Sequence, residues 1–121
     1  MITLKRVYDP PSDDDGERIL VDRLWPRGVK KAEARLSCWM KEVAPTPALR
    51  EWFGHDPSRW EEFRRRYAEE LRSPDKQALL KDIALKGRHG VVTLVFGARD
   101  PEHNHALVLK QVIGEIARKA A

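Results

Sequence analysis

The sequence predicts an α/β fold: one three-layer domain, residues 1–121, with a mostly parallel central sheet flanked by helices. The run Val91–Phe96 (VVTLVF) is the main indication, because it is apolar except at Thr93 and rich in β-branched residues. Such a run is typical of a strand covered on both faces. Helix-start signals also recur in the second half of the chain, and 121 residues suit one ordinary domain.

The first half of the chain is predicted to form strands joined by loops. Residues Ile2–Val7 alternate between apolar and polar, which is typical of a strand. The stretch Tyr8–Gly16 is dense in Asp, Pro and Gly and predicts a loop. The apolar run Ile19–Val21 predicts a second strand that ends at Asp22-Arg23. Weak alternation over Leu36–Val43 predicts a third strand.

Three helices are predicted in the second half. They begin at Asp56-Pro57, Ser73-Pro74 and Asp100-Pro101, where the Asp or Ser side chain caps free amides and Pro suits the first helical position. Gly87 is predicted to end the second of them. Each helix then carries an apolar stripe at helical spacing. The stripes contain Trp60, Phe63, Tyr67 and Leu71; Leu79, Leu80, Ile83 and Ala84; and Ala106, Leu109, Ile113, Ile116 and Ala117.

Composition indicates a folded cytoplasmic protein. With 41% hydrophobic residues the chain can build a core, which a disordered chain cannot. It begins without the long apolar segment of a signal peptide, and no apolar run approaches the length of a membrane span. Its single cysteine, Cys38, excludes an intrachain disulfide and fits a reducing compartment. We therefore expect a cytoplasmic location and no membrane partner.

Polar side chains follow two of the predicted buried strands. Because parallel strands end at one edge of a sheet, the loops after both strands are expected to meet in one cleft. Arginine forks there suit phosphate or carboxylate, and a histidine can transfer protons near neutral pH. We predict His105 and Asp22 as catalytic residues, and as ligand-binding residues Arg23, Arg27, Trp25, His55, His103 and Asn104.

Structural roles for the same residues remain open. The arginines can clamp loop carbonyls, and Asp22 can neutralise Arg23, which we expect more than a role as base or metal ligand. His105 can be bonded to a loop carbonyl. His103 and His105 are two residues apart and do not share a helix face, so no metal site is predicted. No cofactor is predicted either, because the chain has no Walker loop and no GxGxxG motif.

Several motifs resemble a known family. They are Arg6–Pro11 (RVYDPP), Gly16–Val29 (GERILVDRLWPRGV), Trp52–Pro57 (WFGHDP), Trp60–Phe63 (WEEF) and Asp100–Ala106 (DPEHNHA). Together they identify the chain as similar to the YeaO-like branch of the domain-of-unknown-function 488 family, over nearly its whole length. The resemblance implies a bacterial-type cytoplasmic α/β domain and implies no particular activity.

The wider family has an Asp-x-Arg element after an early strand and a Cys-His-Arg element at the start of a late helix. The first resembles Asp22-Arg23 in this chain, and the second resembles Asn104-His105-Ala106. This chain keeps the histidine but has neither the cysteine nor the arginine. The resemblance therefore implies a site in these two loops without a thiol-dependent mechanism at that position.

Two functions are compatible with these patterns. The first is binding of, or action on, a small phosphate- or carboxylate-bearing molecule at the carboxyl edge of the sheet. The second is a non-catalytic module that binds nucleic acid or protein through the basic segment 23–35, which has five Lys and Arg residues and one Glu. A cleft lined by Arg23, Arg27 and His105 would favour the first, and a continuous basic face would favour the second. Whether the protein is an enzyme, and its oligomeric state, stay open.

Overall fold

The computed structural model describes residues 1–120 and contains a four-stranded, all-parallel sheet. The strands are β1 (Ile2–Arg6), β2 (Glu17–Leu20), β3 (Cys38–Trp39) and β4 (Val92–Phe96), in the spatial order β1-β4-β2-β3. Strand β4 is fully buried between β1 and β2 and runs parallel to both. The predicted α/β class is confirmed, as is the prediction that Val91–Phe96 forms an interior strand.

Five α-helices within residues 1–120 flank the sheet: α1 (Lys31–Ala34), α2 (Pro47–Phe53), α3 (Trp60–Glu70), α4 (Pro74–His89) and α5 (His105–Ala120). Short 3₁₀ helices lie at Asp13–Asp15, Lys41–Val43 and Pro57–Arg59. Asp56 caps the last of these by accepting a hydrogen bond from the Ser58 amide (3.0 Å), as predicted for this start. Within residues 1–120, no helix is both long enough and apolar enough to cross a bilayer.

Several predicted boundaries differ from the structure. Helix α5 begins at His105 and not after Asp100, because Asn104 supplies the cap: its Oδ1 accepts the Leu107 amide at 3.1 Å. Helix α4 continues past Gly87 to His89, so Gly87 does not end it, and the Ser73 side chain forms no capping hydrogen bond. The third strand comprises only two residues, since a 3₁₀ helix begins at Lys41.

The two faces of the sheet are covered unequally. On one face, α2–α5 pack over alternate strand residues such as Ile19 and Leu94, and this side holds most of the core. On the other face a smaller cluster of Val7, Leu20 and Val95 lies beneath side chains of the segment 25–39, which includes α1. Strand alternation explains the division, because successive side chains point to opposite faces.

A buried ion pair fastens the acidic loop and α1 to the sheet. The Asp15 carboxylate accepts hydrogen bonds from Arg18 Nη1 (2.7 Å), Lys5 Nζ (3.0 Å) and the Ser12 amide (2.9 Å). Arg18 also donates through Nε and Nη2 to the carbonyl of Ala34, the last residue of α1. Every charge in this cluster has a partner, so the cluster has a structural role.

We expect Phe63→Ala to destabilise the fold by about 3–5 kcal/mol. Phe63 is buried on α3, and its ring stacks on that of Phe53 with centroids 4.3 Å apart. Urea denaturation measures the loss. Arg65→Ala, on the exposed face of the same helix, is the control and should change stability little. Equal losses in the two variants would contradict the burial assignment.

We also expect Asp15 to make stability depend on pH. Burial alone would raise the pKa of the Asp15 carboxyl, but hydrogen bonds from Ser12, Lys5 and Arg18 outweigh it and hold that pKa below its usual value. A folded-state pKa below the unfolded one gives stabilisation that is complete above the unfolded pKa, about 4. This stabilisation is lost as the pH falls through the folded-state pKa.

Unfolding free energies of wild type and Asp15→Asn, measured across acidic pH, test this. The gap between the two proteins should be widest near neutral pH and should close as the medium becomes acidic. A constant gap would show that the Asp15 carboxyl does not contribute through its ionisation.

Candidate functional site

A cleft of about 260 Å³ lies at the carboxyl edge of the sheet. Its walls are the loop after β1, the loop after β2, the segment 44–55 that contains α2, and the segment 97–105 that leads into α5. Most of the site residues predicted from the sequence line this cleft: Asp22, Arg23, Trp25, His55, His103, Asn104 and His105. Parallel strands bring them together, since β2 and β4 end side by side.

Asp22 connects the loops that follow β2 and β4. Its Oδ2 accepts a hydrogen bond from the Gly97 amide (2.9 Å), and its Oδ1 lies 3.0 Å from His105 Nε2. Within residues 1–120, Asp22 forms no ion pair with Arg23, so the prediction that it neutralises that arginine is wrong. The carboxylate instead fixes the relative position of the two loops.

His105 is held with a proton on Nε2. That nitrogen lies 3.1 Å from the Val21 carbonyl oxygen as well as near Asp22, and both neighbours can only accept. The His105 Nε2–H forms its hydrogen bond with the Val21 carbonyl. The buried Asp22 Oδ1 accepts no hydrogen bond of good geometry within residues 1–120. In the neutral form of the ring, the free lone pair is therefore on Nδ1. On its other side the ring lies 6.4 Å from that of buried Tyr67.

Arg23 is fixed by backbone carbonyls. Its Nε donates to the Pro45 oxygen (3.1 Å) and its Nη2 to the Ala44 oxygen (3.2 Å). No carboxylate of residues 1–120 forms an ion pair with it, and Nη1 has no partner in this part of the chain. Arg23 is thus both a clamp on the segment before α2 and an uncompensated positive charge at the cleft.

Arg50 is a second cation in the cleft wall and was missed from the sequence. It lies on α2, which the sequence reasoning did not identify, although Thr46-Pro47 is a helix-start signal of the same kind as the others. In the structure, Thr46 Oγ1 accepts the Leu49 amide at 3.3 Å, as a cap should. Arg50 is exposed and has no ion-pair partner within residues 1–120.

Arg27 does not join the cleft. The Arg27 side chain is exposed and does not line the cleft. Its backbone oxygen accepts a hydrogen bond from the hydroxyl of Tyr8, which does line the cleft, at 2.9 Å. A tight turn follows Pro26, with Gly28 at a φ of +78°, and it turns the chain away from the sheet edge. The expected convergence of Arg23, Arg27 and His105 is therefore limited to Arg23 and His105.

The remaining predicted residues have structural contacts as well. His103 Nδ1 lies 2.8 Å from Asp100 Oδ2, and hydrogen bonds from the Glu102 amide and from His103 hold the pKa of Asp100 below its usual range. Asn104 is buried, with its amide used in the helix cap and in a bond to the Asp100 oxygen. His55 is exposed at a positive φ of 56°.

Trp25 lines the cleft but is tied down by packing. Its ring meets that of Trp39 edge to face, with centroids 5.4 Å apart. Both indole nitrogens donate to backbone oxygens at 2.7 Å, Trp25 to Val29 and Trp39 to Asp22. Packing is thus the principal role of this pair of tryptophans.

The cleft has positive charge but lacks hydroxyl, thiol and amine nucleophiles of the Ser, Thr, Cys and Lys kind. Within residues 1–120 its lining contains none of these four residue types, and Cys38 is exposed on β3 away from it. Within residues 1–120, no group of three or more His, Cys, Asp or Glu side chains is arranged to hold a metal ion. The arrangement can hold an anion and can accept a proton at His105 Nδ1.

We expect Gly97→Ala to disturb the link between the two loops. A Cβ at this position would lie 2.9 Å from Asp22 Oδ2, closer than a side-chain carbon normally approaches. The melting temperature should fall, and the His105 ring resonances should shift in NMR spectra. Gly90→Ala is the matched control, because nothing lies within 4 Å of its added Cβ. Unchanged His105 resonances in Gly97→Ala would argue against the link.

Comparison with known proteins identifies relatives over nearly the whole chain. An uncharacterised protein of Mycobacterium tuberculosis is 46% identical over 112 residues, covering 93% of this chain and 92% of the relative. The uncharacterised protein YeaO of Escherichia coli strain K12 is 45% identical over 109 residues, covering 89% and 92%. No solved structure matches. The family model described as the inactive DUF488-N3 subclade matches residues 1–121, which confirms the resemblance noted from the motifs. The chain belongs to this inactive DUF488-N3 subclade.

Proposed function

We propose that the protein binds a small phosphate- or carboxylate-bearing molecule in the cleft. The observation that carries the proposal is the Arg23 guanidinium, which two carbonyls hold in place without a carboxylate to neutralise it. An arginine fixed in this way has already lost its side-chain freedom, so a bound anion gains a charged hydrogen bond at a low entropic cost.

Other charges around the cleft support an anionic ligand. Arg50 adds a second cation, whereas Asp22, the one carboxylate that lines the cleft within residues 1–120, accepts the Gly97 amide through Oδ2. The 16-residue helix α5 begins in the cleft wall at His105, so its positive dipole end adds to the attraction. The balance of charge at the cleft is therefore positive.

Binding without turnover is the form of this function that we favour. The family is described as inactive. In addition, Asn104 stands where the wider family has a cysteine, and both ends of its amide are engaged in hydrogen bonds. The catalytic roles predicted for His105 and Asp22 are then replaced by positioning of the cleft walls. We expect this binding protein to act in the cytoplasm.

A nucleic-acid-binding module has less support. The Arg23 side chain binds backbone carbonyls and does not extend the basic surface of the segment. Trp25 and Trp39 are engaged in packing and hydrogen bonds. The exposed cations that remain, such as Lys30 and Arg35, flank a four-residue helix. Base stacking on exposed aromatic residues, which strengthens single-strand binding, is not evident there.

We expect Arg50→Ala to weaken binding of inorganic phosphate or sulfate about tenfold, because one charged hydrogen bond is removed. Titration followed by NMR chemical shifts measures the affinity and locates the site. The shifts should cluster at the cleft, around His103 and His105. Higher salt should weaken binding, since part of the attraction is electrostatic.

Arg27→Ala is the matched control, as it removes a nearby arginine whose side chain lies outside the cleft. It should leave phosphate affinity unchanged. If Arg27→Ala and Arg50→Ala weaken binding equally, or if the shifts cluster on segment 27–35, the ligand site is not the cleft. Tight binding of a single-stranded oligonucleotide that depends on Lys30 and Lys31 would favour the nucleic-acid module instead.

A further inference from the structure

We infer that the ligand carries a flat aromatic group, which stacks on Tyr8 at the lip of the cleft while its anionic group reaches Arg23 and Arg50. This inference rests on the proposed function and names the class of ligand: a small aromatic phosphate or carboxylate. Tyr8 follows β1, in the third loop at the carboxyl edge of the sheet, and it lines the cleft.

The Tyr8 ring is rigidly held although it is exposed. Its hydroxyl donates to the Arg27 oxygen (2.9 Å), and the Arg6 guanidinium lies over one face, 5.0 Å from the ring centroid. Arg6 is itself fixed by a hydrogen bond to the Ala98 oxygen (2.9 Å). Arg6 covers one face of the ring, and 48% of Tyr8 is exposed. The exposed part of the ring leaves room for a stacking partner. A fixed ring backed by a cation is a preorganised platform.

The lip of the cleft is also unusually apolar for this surface. Within residues 1–120 the large hydrophobic residues that remain exposed are Met1, Tyr8, Leu24 and Leu85, and two of these four line the cleft. Leu24 is 57% exposed. Exposed apolar side chains next to uncompensated arginines are explained by a ligand with both an apolar and an anionic part.

The volume of the cleft favours a small ligand. Its volume of about 260 Å³ is below the range of roughly 300–1,000 Å³ typical of drug-sized ligand pockets. The cationic groups come from the loop after β2 and from α2, whereas Tyr8 comes from the loop after β1. A ligand that joins a compact anion to one ring can contact both sets of groups.

Three probes of matched charge test the inference: inorganic phosphate, methyl phosphate and phenyl phosphate, titrated at about pH 8, where phosphate monoesters are dianions. Phenyl phosphate should bind about five- to tenfold more tightly than methyl phosphate, as expected for one aromatic stacking contact. Methyl and inorganic phosphate should bind alike. Nuclear Overhauser contacts should join the phenyl protons to the Tyr8 ring.

Variants at Tyr8 test whether the preference for phenyl phosphate over methyl phosphate depends on this ring. Tyr8→Ala should bind phenyl and methyl phosphate equally while keeping its affinity for inorganic phosphate, and Tyr8→Phe should retain most of the preference. Leu85→Ala is the control, since it removes an exposed apolar residue on α4, away from the cleft. Should Tyr8→Ala fail to fold, the probe series on wild type and the contacts to the Tyr8 ring decide the question.

The outcomes separate this inference from the proposed function. Equal binding of the three probes, phenyl contacts on another surface, or a preference that survives Tyr8→Ala would overturn the aromatic ligand and leave anion binding intact. Failure of all three probes to bind would overturn the proposed function itself.

Discussion

The position of the cleft walls depends on the carboxylate of Asp22. This side chain accepts the Gly97 amide at 2.9 Å, which ties the end of β2 to the end of β4, and it lies 3.0 Å from His105 Nε2. That nitrogen pairs with the Val21 oxygen at 3.1 Å, so the first residue of α5 is also held against the end of β2. The close approach requires glycine at position 97, where a Cβ would meet Asp22 Oδ2. Three elements that are distant in sequence are thereby held in one geometry, and the cleft between them is preformed.

The start of α5 illustrates what local sequence can and cannot predict. Asp100-Pro101 and Asn104 both satisfy the rules for a helix start, so the local pattern does not distinguish them. The long-range contact of His105 with the Val21 carbonyl favours the later start, which places His105 in the first turn next to β2. The strand Val91–Phe96 was predictable because its apolar composition alone requires burial on both faces.

The site was predictable only as far as the backbone determines it. Parallel strands necessarily bring the residues after β2 and β4 to one edge, so Asp22, Arg23 and His105 were correctly expected there. Side-chain direction in a loop depends on the turn, and the turn at Gly28 takes Arg27 away. Arg50 reaches the cleft only through the packing of α2, which no local signal near the strand ends reveals.

Two arginines in this domain show why the cleft, and not another basic position, should attract an anion. Arg18 and Arg23 both donate to backbone oxygens, Arg18 to Ala34 and Arg23 to Ala44 and Pro45. Arg18 is neutralised by Asp15 at 2.7 Å, which also binds Lys5. Arg23 has no such ion pair within residues 1–120, and the nearby Asp22 accepts the Gly97 amide instead. The hydrogen bond that joins the two loops therefore leaves Arg23 without a carboxylate partner, which supports the proposed anion site.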